Sequence, residues 1–115
     1  AKSNYKNISA EEKEVINNFN MNLDKLLEQL YIFNIKPIFI TQIKYDINGQ
    51  RILFFLNEEL KKFSKENNLE VIKLDELVKS PLNNSFIDTV HTNKKGSVEI
   101  SKIIYPELKN ILFDY

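Results

Sequence analysis

The sequence predicts an α/β domain, and only part of one. Long amphipathic stretches alternate with short apolar runs in the order helix, strand, helix, strand, helix, and only two runs read as strands. Strands separated by helices imply parallel βαβ connections. A parallel sheet needs several neighbours and cover on both faces. Two strands therefore read as half of such a domain, with a strand edge left open.

Each element has a local signature. Ser9-Ala10-Glu11-Glu12 fits the S-x-x-E capping box, in which each side chain satisfies the other residue's backbone N–H. Ile16, Phe19, Leu23, Leu26, Leu27 and Leu30 follow at steps of three and four, predicting a long helix over about residues 10–33. "KPIFITQ" is β-branched and aromatic after a proline, and predicts a buried strand near 37–41. Asn48-Gly49 punctuates a polar turn. Ile52, Leu53, Leu56, Leu60 and Phe63 predict a second amphipathic helix ending near Asn67-Asn68. "LEVIKL", 69–74, predicts the second strand, with a short helix at 75–79 stopped by Pro81. The last helix is expected from about Ser97 as N-cap, with Glu99 in its first turn and a kink or break at Pro106. The whole chain, 1–115, reads as one unit without repeats, linkers or low-complexity segments.

Composition narrows the class of function. The chain is 43% hydrophobic and 28% charged, which suits a folded globular domain. Sixteen basic residues balance sixteen acidic ones, so charge supports neither nucleic-acid nor anionic-membrane binding. No apolar run approaches the ~18 residues of a membrane helix. Cysteine is absent, which excludes a disulfide framework and thiolate metal sites without selecting a compartment. The opening "AKSNYKN" has no initiator Met, and the only Met is Met21, inside a helical pattern. The expectation is a chain cleaved or trimmed from something longer.

The only histidine, His91, lies in "FIDTVHTNKKG", with Asp88 three residues before it and Gly96 five after. On a loop, that spacing lets a carboxylate reach the nearer imidazole nitrogen, fix the tautomer and stabilise the imidazolium. A free imidazole titrates near pH ~6.5 and so serves as a base at neutral pH. This is the base-and-orienter half of a serine triad. The same residues also suit a plain turn, with His91 structural and Asp88, Asn93 and Gly96 as loop residues. A metal reading has one histidine, and carboxylates without ligand spacing. No glycine-rich loop supports a nucleotide-binding unit.

"DTVHTNKKG" resembles the last block of the SGNH, or GDSL-type, hydrolases: Asp-x-x-His, then Asn two residues on and Gly three beyond. The matching positions are Asp88, His91, Asn93 and Gly96. "KPIFITQ" resembles that family's fourth strand. "LNEELKKFSKENNLEVIKLDEL" resembles its helix-strand unit, and "ISKIIYPELKNIL" its closing helix, with the Tyr-Pro step at Tyr105-Pro106. The resemblance runs from about residue 9 onward. It implies a three-layer α/β/α sandwich with a flavodoxin-like parallel sheet, present here as its C-terminal half. It implies ester hydrolysis by a serine nucleophile, with His91 as general base, Asp88 orienting it, and no cofactor or metal.

The family's Gly-Asp-Ser block, its second glycine block and its Gly-x-Asn-Asp block have no counterpart here. The only glycines are Gly49 and Gly96, and none of Ser3, Ser9, Ser64, Ser80, Ser85, Ser97 and Ser101 has a Gly-Asp context. The resemblance thus implies a small-molecule ester as substrate, and a missing N-terminal half or second chain that bears the serine. The alternative expectation is a non-catalytic α/β module that binds a partner or self-associates through its open sheet edge.

Overall fold

The computed structural model describes residues 7–43, 51–78 and 93–113. In chain order these form α1 (Ala10–Ile32), β1 (Ile38–Ile40), α2 (Arg51–Glu66), β2 (Glu70–Ile72), α3 (Leu74–Leu77) and α4 (Lys94–Phe113). The alternation expected from the sequence is present, with both strands parallel and in the register Ile38↔Glu70, Phe39↔Val71, Ile40↔Ile72.

The three-layer flavodoxin-like sandwich is not what these elements build. The described residues are 74% helical, and their one sheet has two strands. Each strand is three residues long, or ~10 Å at the usual rise. Helices can seat in layers only on a sheet several strands wide, and here the apolar residues have gone mostly into helix faces. The architecture is mostly helical, around a minimal parallel pair.

Capping sets the helix ends. Ser9 and Glu12 form the expected capping box: Glu12 N–H donates to Ser9 Oγ at 3.1 Å and Ser9 N–H to Glu12 Oε1 at 3.0 Å. The backbone hydrogen bond from Ser9 is the main cause that holds the Glu12 carboxyl below its ordinary value; burial opposes it, and the Arg51 charge adds to it. Arg51 Nε meets Glu12 at 2.9 Å and its Nη2 donates to the Asn7 carbonyl at 2.6 Å, tying the starts of α1 and α2 together.

Both α1 and α2 end in Schellman motifs with asparagine in the left-handed position. Asn34 has φ +58° and Asn68 φ +54°. Ile35 N–H reaches Leu30 O at 2.9 Å, and Leu69 N–H reaches Ser64 O at 2.8 Å. Glycine usually fills this position. In a chain with two glycines, asparagine takes it, since its short polar side chain tolerates αL better than most.

The core sits between α1, α2 and the sheet. Leu23 and Leu27 of α1 meet Leu60 and Phe63 of α2 and Leu69, with Phe19 and Phe39 against them. Phe39 of β1 stands edge-on to Phe63, ring centres 6.2 Å apart at 69°. α2 and α4 both pack on β2, and α3 packs on α4. α2 buries Phe55 completely, where the sequence pattern pointed to Ile52, Leu53 and Leu56. Residues 52–56 are apolar without a break, so periodicity cannot select a face. The packing of α2 against both α1 and β2 selects it instead.

Two further differences concern α4. It begins at Lys94, not near Ser97, because Asn93 caps it: the Asn93 carboxamide oxygen accepts from Gly96 N–H at 2.9 Å. It also runs through Pro106 without a break. Pro106 and Lys102, whose carbonyl lacks its helical donor, are both exposed, so water can serve that carbonyl.

Thr41 N–H donates to Ile72 O at 3.0 Å. Strand residues alternate sides, so Thr41 and Phe39 turn their peptide groups to β2, while Ile38 and Ile40 turn theirs to the outer edge. Among the described residues no second strand meets that edge.

Candidate functional site

In open parallel α/β units, ligands bind beyond the carboxyl ends of the strands. Here those ends are held by three linked sets of polar contacts. The first is Asn57, buried on α2. Its carboxamide oxygen accepts from Gln42 N–H at 3.0 Å and its amide donates to Gln42 O at 2.8 Å. Gln42 falls on the outward-facing phase of β1, so Asn57 pairs with it as a neighbouring strand's peptide would, and closes the open edge one residue beyond Thr41.

The second is Thr41, 1% exposed. Its hydroxyl donates to Asp75 Oδ1 at 2.6 Å and accepts from Asp75 N–H at 3.1 Å. α3 has no side-chain cap of its own at Lys73. Thr41, the residue just after β1, thus satisfies a first-turn N–H of α3 from outside that helix.

The third is Lys61. Its ammonium lies 2.8 Å from Asp75 Oδ2, 2.8 Å from Glu76 Oε2 and 2.9 Å from Glu58 Oε1. Burial alone lowers its pKa, but hydrogen bonds to Asp75, Glu76 and Glu58 outweigh that and hold the group above its ordinary value. Lys61 is therefore a fixed cation that ties α2 to α3, unsuited to act as a base or nucleophile near neutrality.

Asp88 and His91 lie outside the described residues, as do Asn48-Gly49, Pro81, Ser3, Ser80 and Ser85. The other two positions of the histidine block are described. Asn93 caps α4, its carbonyl also accepting from Ser97 N–H at 2.9 Å, and Gly96 is buried in the first turn. A side chain at position 96 would meet what covers that turn. His91 stands two residues before the cap. The described serines hold structural posts: Ser9 caps α1, buried Ser64 donates to Leu60 O at 2.8 Å, and Ser101 donates to Val98 O at 2.7 Å. Ser97 lies inside α4 and does not cap it.

Sequence reasoning passed over Thr41 and Lys61. A lone Thr at a strand end and a Lys in a charged helix carry no motif, although both lie in stretches read for their secondary structure. No group of three or more His, Cys, Asp or Glu among the described residues is arranged to hold a metal ion. No helix among them is long and apolar enough to cross a membrane. No family model matches the chain, and neither the curated proteins nor the solved structures compared with it provide a match.

Proposed function

We propose that this chain is the base-bearing part of an SGNH-type serine ester or acyl hydrolase. His91 is its general base, Asp88 orients the imidazole, and the nucleophilic serine comes from outside these 115 residues. The observation that carries the reading is the block Asp88-x-x-His91-x-Asn93-x-x-Gly96. Its last two positions lend support, since they form a capped and buried helix start immediately after the histidine.

In this reading, the Asp88 carboxylate accepts the Nδ1 proton of His91 in a hydrogen bond. Nε2 takes the proton of the serine hydroxyl as its oxygen attacks the ester carbonyl. The imidazolium then gives that proton to the departing alkoxide. Water repeats the cycle on the acyl-enzyme and frees the acid and the serine. The substrate is a small-molecule ester. Without the serine and the oxyanion donors of the missing blocks, the chain alone is expected to be inactive.

A fluorophosphonate probe, read by intact mass of every polypeptide in the preparation, tests this. Label on a second, Gly-Asp-Ser-bearing polypeptide, lost on His91→Ala in this chain, is the expected result. Label that persists in His91→Ala would remove His91 from the chemistry.

The outer edge of β1, which no second strand meets among the described residues, with Ile40 41% exposed, favours a second reading: a module that self-associates by strand pairing. Light scattering separates the two. A concentration-dependent dimer abolished by Ile40→Lys supports the module, and a monomer at all concentrations counts against it.

A further inference from the structure

α4 buries only Gly96. One side, with Ile100, Ile103, Ile104, Leu108 and Ile111, is half-buried, and the helix packs on β2 and α3. A helix that packs on one side usually turns a polar side to water. The other side of α4 carries a second apolar row instead: Val98, Tyr105 and Leu112 are 48%, 65% and 49% exposed. Lys95, Lys102 and Lys109 stand three residues before each of them. Positions at steps of three and seven share one face of a helix. Every charged residue that is exposed on α4 is a lysine. None of Lys95, Lys102 and Lys109 enters an ion pair among the described residues. Lysines alone would make a solvated face, but the apolar row beside them makes a surface fit to be covered.

The complement is on the same molecule. Asn20 and Asp24 of α1 and Glu59, Lys62, Phe63 and Glu66 of α2 line a groove. Its carboxylates at Asp24, Glu59 and Glu66 outweigh the single ammonium of Lys62, and Glu59 accepts from Asn20 at 3.3 Å. Glu59 and Glu66 are seven residues apart, as are Lys102 and Lys109, so each pair spans ~10 Å along its helix. With the two helices antiparallel, Lys102 meets Glu66, Lys109 meets Glu59, and Tyr105 falls level with Phe63. We infer that α4 of one molecule docks along the α1–α2 groove of a second copy. This side of α4 is exposed, so the two surfaces meet only between copies. The contact is heterologous, because each copy gives one surface and receives at the other. It uses neither the histidine block nor the edge of β1, and so goes beyond both readings above.

Sedimentation velocity of the whole chain over a concentration series tests this. Wild type should associate as concentration rises. Association should weaken as salt goes from about 0.1 M to about 1 M, where the screening length falls from about 10 Å to about 3 Å. Lys102→Glu with Lys109→Glu, and separately Asp24→Lys with Glu66→Lys, should each weaken it about tenfold or more, since like charges then face each other. All four positions are exposed, so far-UV circular dichroism should not change. An equal mixture of the two double variants should associate again, because every reversed face then has its complement. A monomer at every concentration would overturn the inference, even one that binds phosphatidylserine vesicles, which would give the lysine face an anionic surface as its partner. Association that both double variants keep and Ile40→Lys abolishes would also overturn it, in favour of strand pairing.

Discussion

Replacing Asn57 with alanine tests whether its carboxamide stands in for a missing strand. The side chain is 7% exposed and makes two hydrogen bonds to one peptide, 3.0 Å to the Gln42 nitrogen and 2.8 Å to its oxygen. Each such bond contributes about 1 kcal/mol net, so losing both costs about 2 kcal/mol. Gln42 is itself exposed, and water partly replaces the lost partners, which keeps the figure from rising further. For a domain of this size, that loss lowers Tm by about 8 °C. Urea unfolding followed by far-UV circular dichroism reads it as a lower midpoint with an unchanged slope. Asn57→Asp sharpens the test. It keeps the acceptor for Gln42 N–H but sets a carboxylate against the Gln42 carbonyl, so at neutral pH it should cost at least as much as alanine. A loss below about 0.5 kcal/mol for Asn57→Ala, within the range of an ordinary surface change, would mean that water already satisfies the Gln42 peptide and that Asn57 closes no edge.

Two other consequences are open to direct measurement. Phe55 is fully buried, edge-on to Phe54 at 5.8 Å, with the Arg51 guanidinium 5.1 Å from its ring centre. Phe55→Ala should cost about 3–5 kcal/mol in chemical unfolding, against under about 1.5 kcal/mol for Phe55→Leu, and equal effects would place Phe55 outside the core. Lys61 has a folded-state pKa raised above its ordinary value, so its contribution is whole below the unfolded value of about 10.4 and is lost as pH climbs through the folded one. The gap in denaturation midpoint between wild type and Lys61→Met should therefore hold from neutral pH to about 10 and close only above it. A gap that closes between pH 7 and 9 would contradict the three-carboxylate contact.

Local signals were legible wherever the physics is local. The Ser9–Glu12 capping box needs only four residues and a helix to start, and it stands where its spacing placed it. The α1 period reaches the core at Ile16, Leu23 and Leu27. Leu26, of the same period, is 45% exposed, outside the stripe that Leu23 and Leu27 turn to the core. Asn67-Asn68 ended α2 as expected, since αL suits asparagine there. The start of α4 was misplaced by one turn because Ser97 and Asn93 are both good caps, and Asn93 comes first in the chain.

By itself, then, the sequence determined the order and type of the elements, the ends of α1 and α2, and the Asp88-x-x-His91 block on which the proposed chemistry rests. These follow from backbone preferences over a few residues and from side-chain identity. Tertiary structure alone decided which face of α2 is buried and that Thr41, Asn57, Lys61 and Asp75 lock the carboxyl ends of the two described strands. Thr41 and Asp75 are 34 positions apart. No local preference encodes a bond across that distance. It forms only when parallel pairing of β1 and β2 sets both residues at the same end of the sheet.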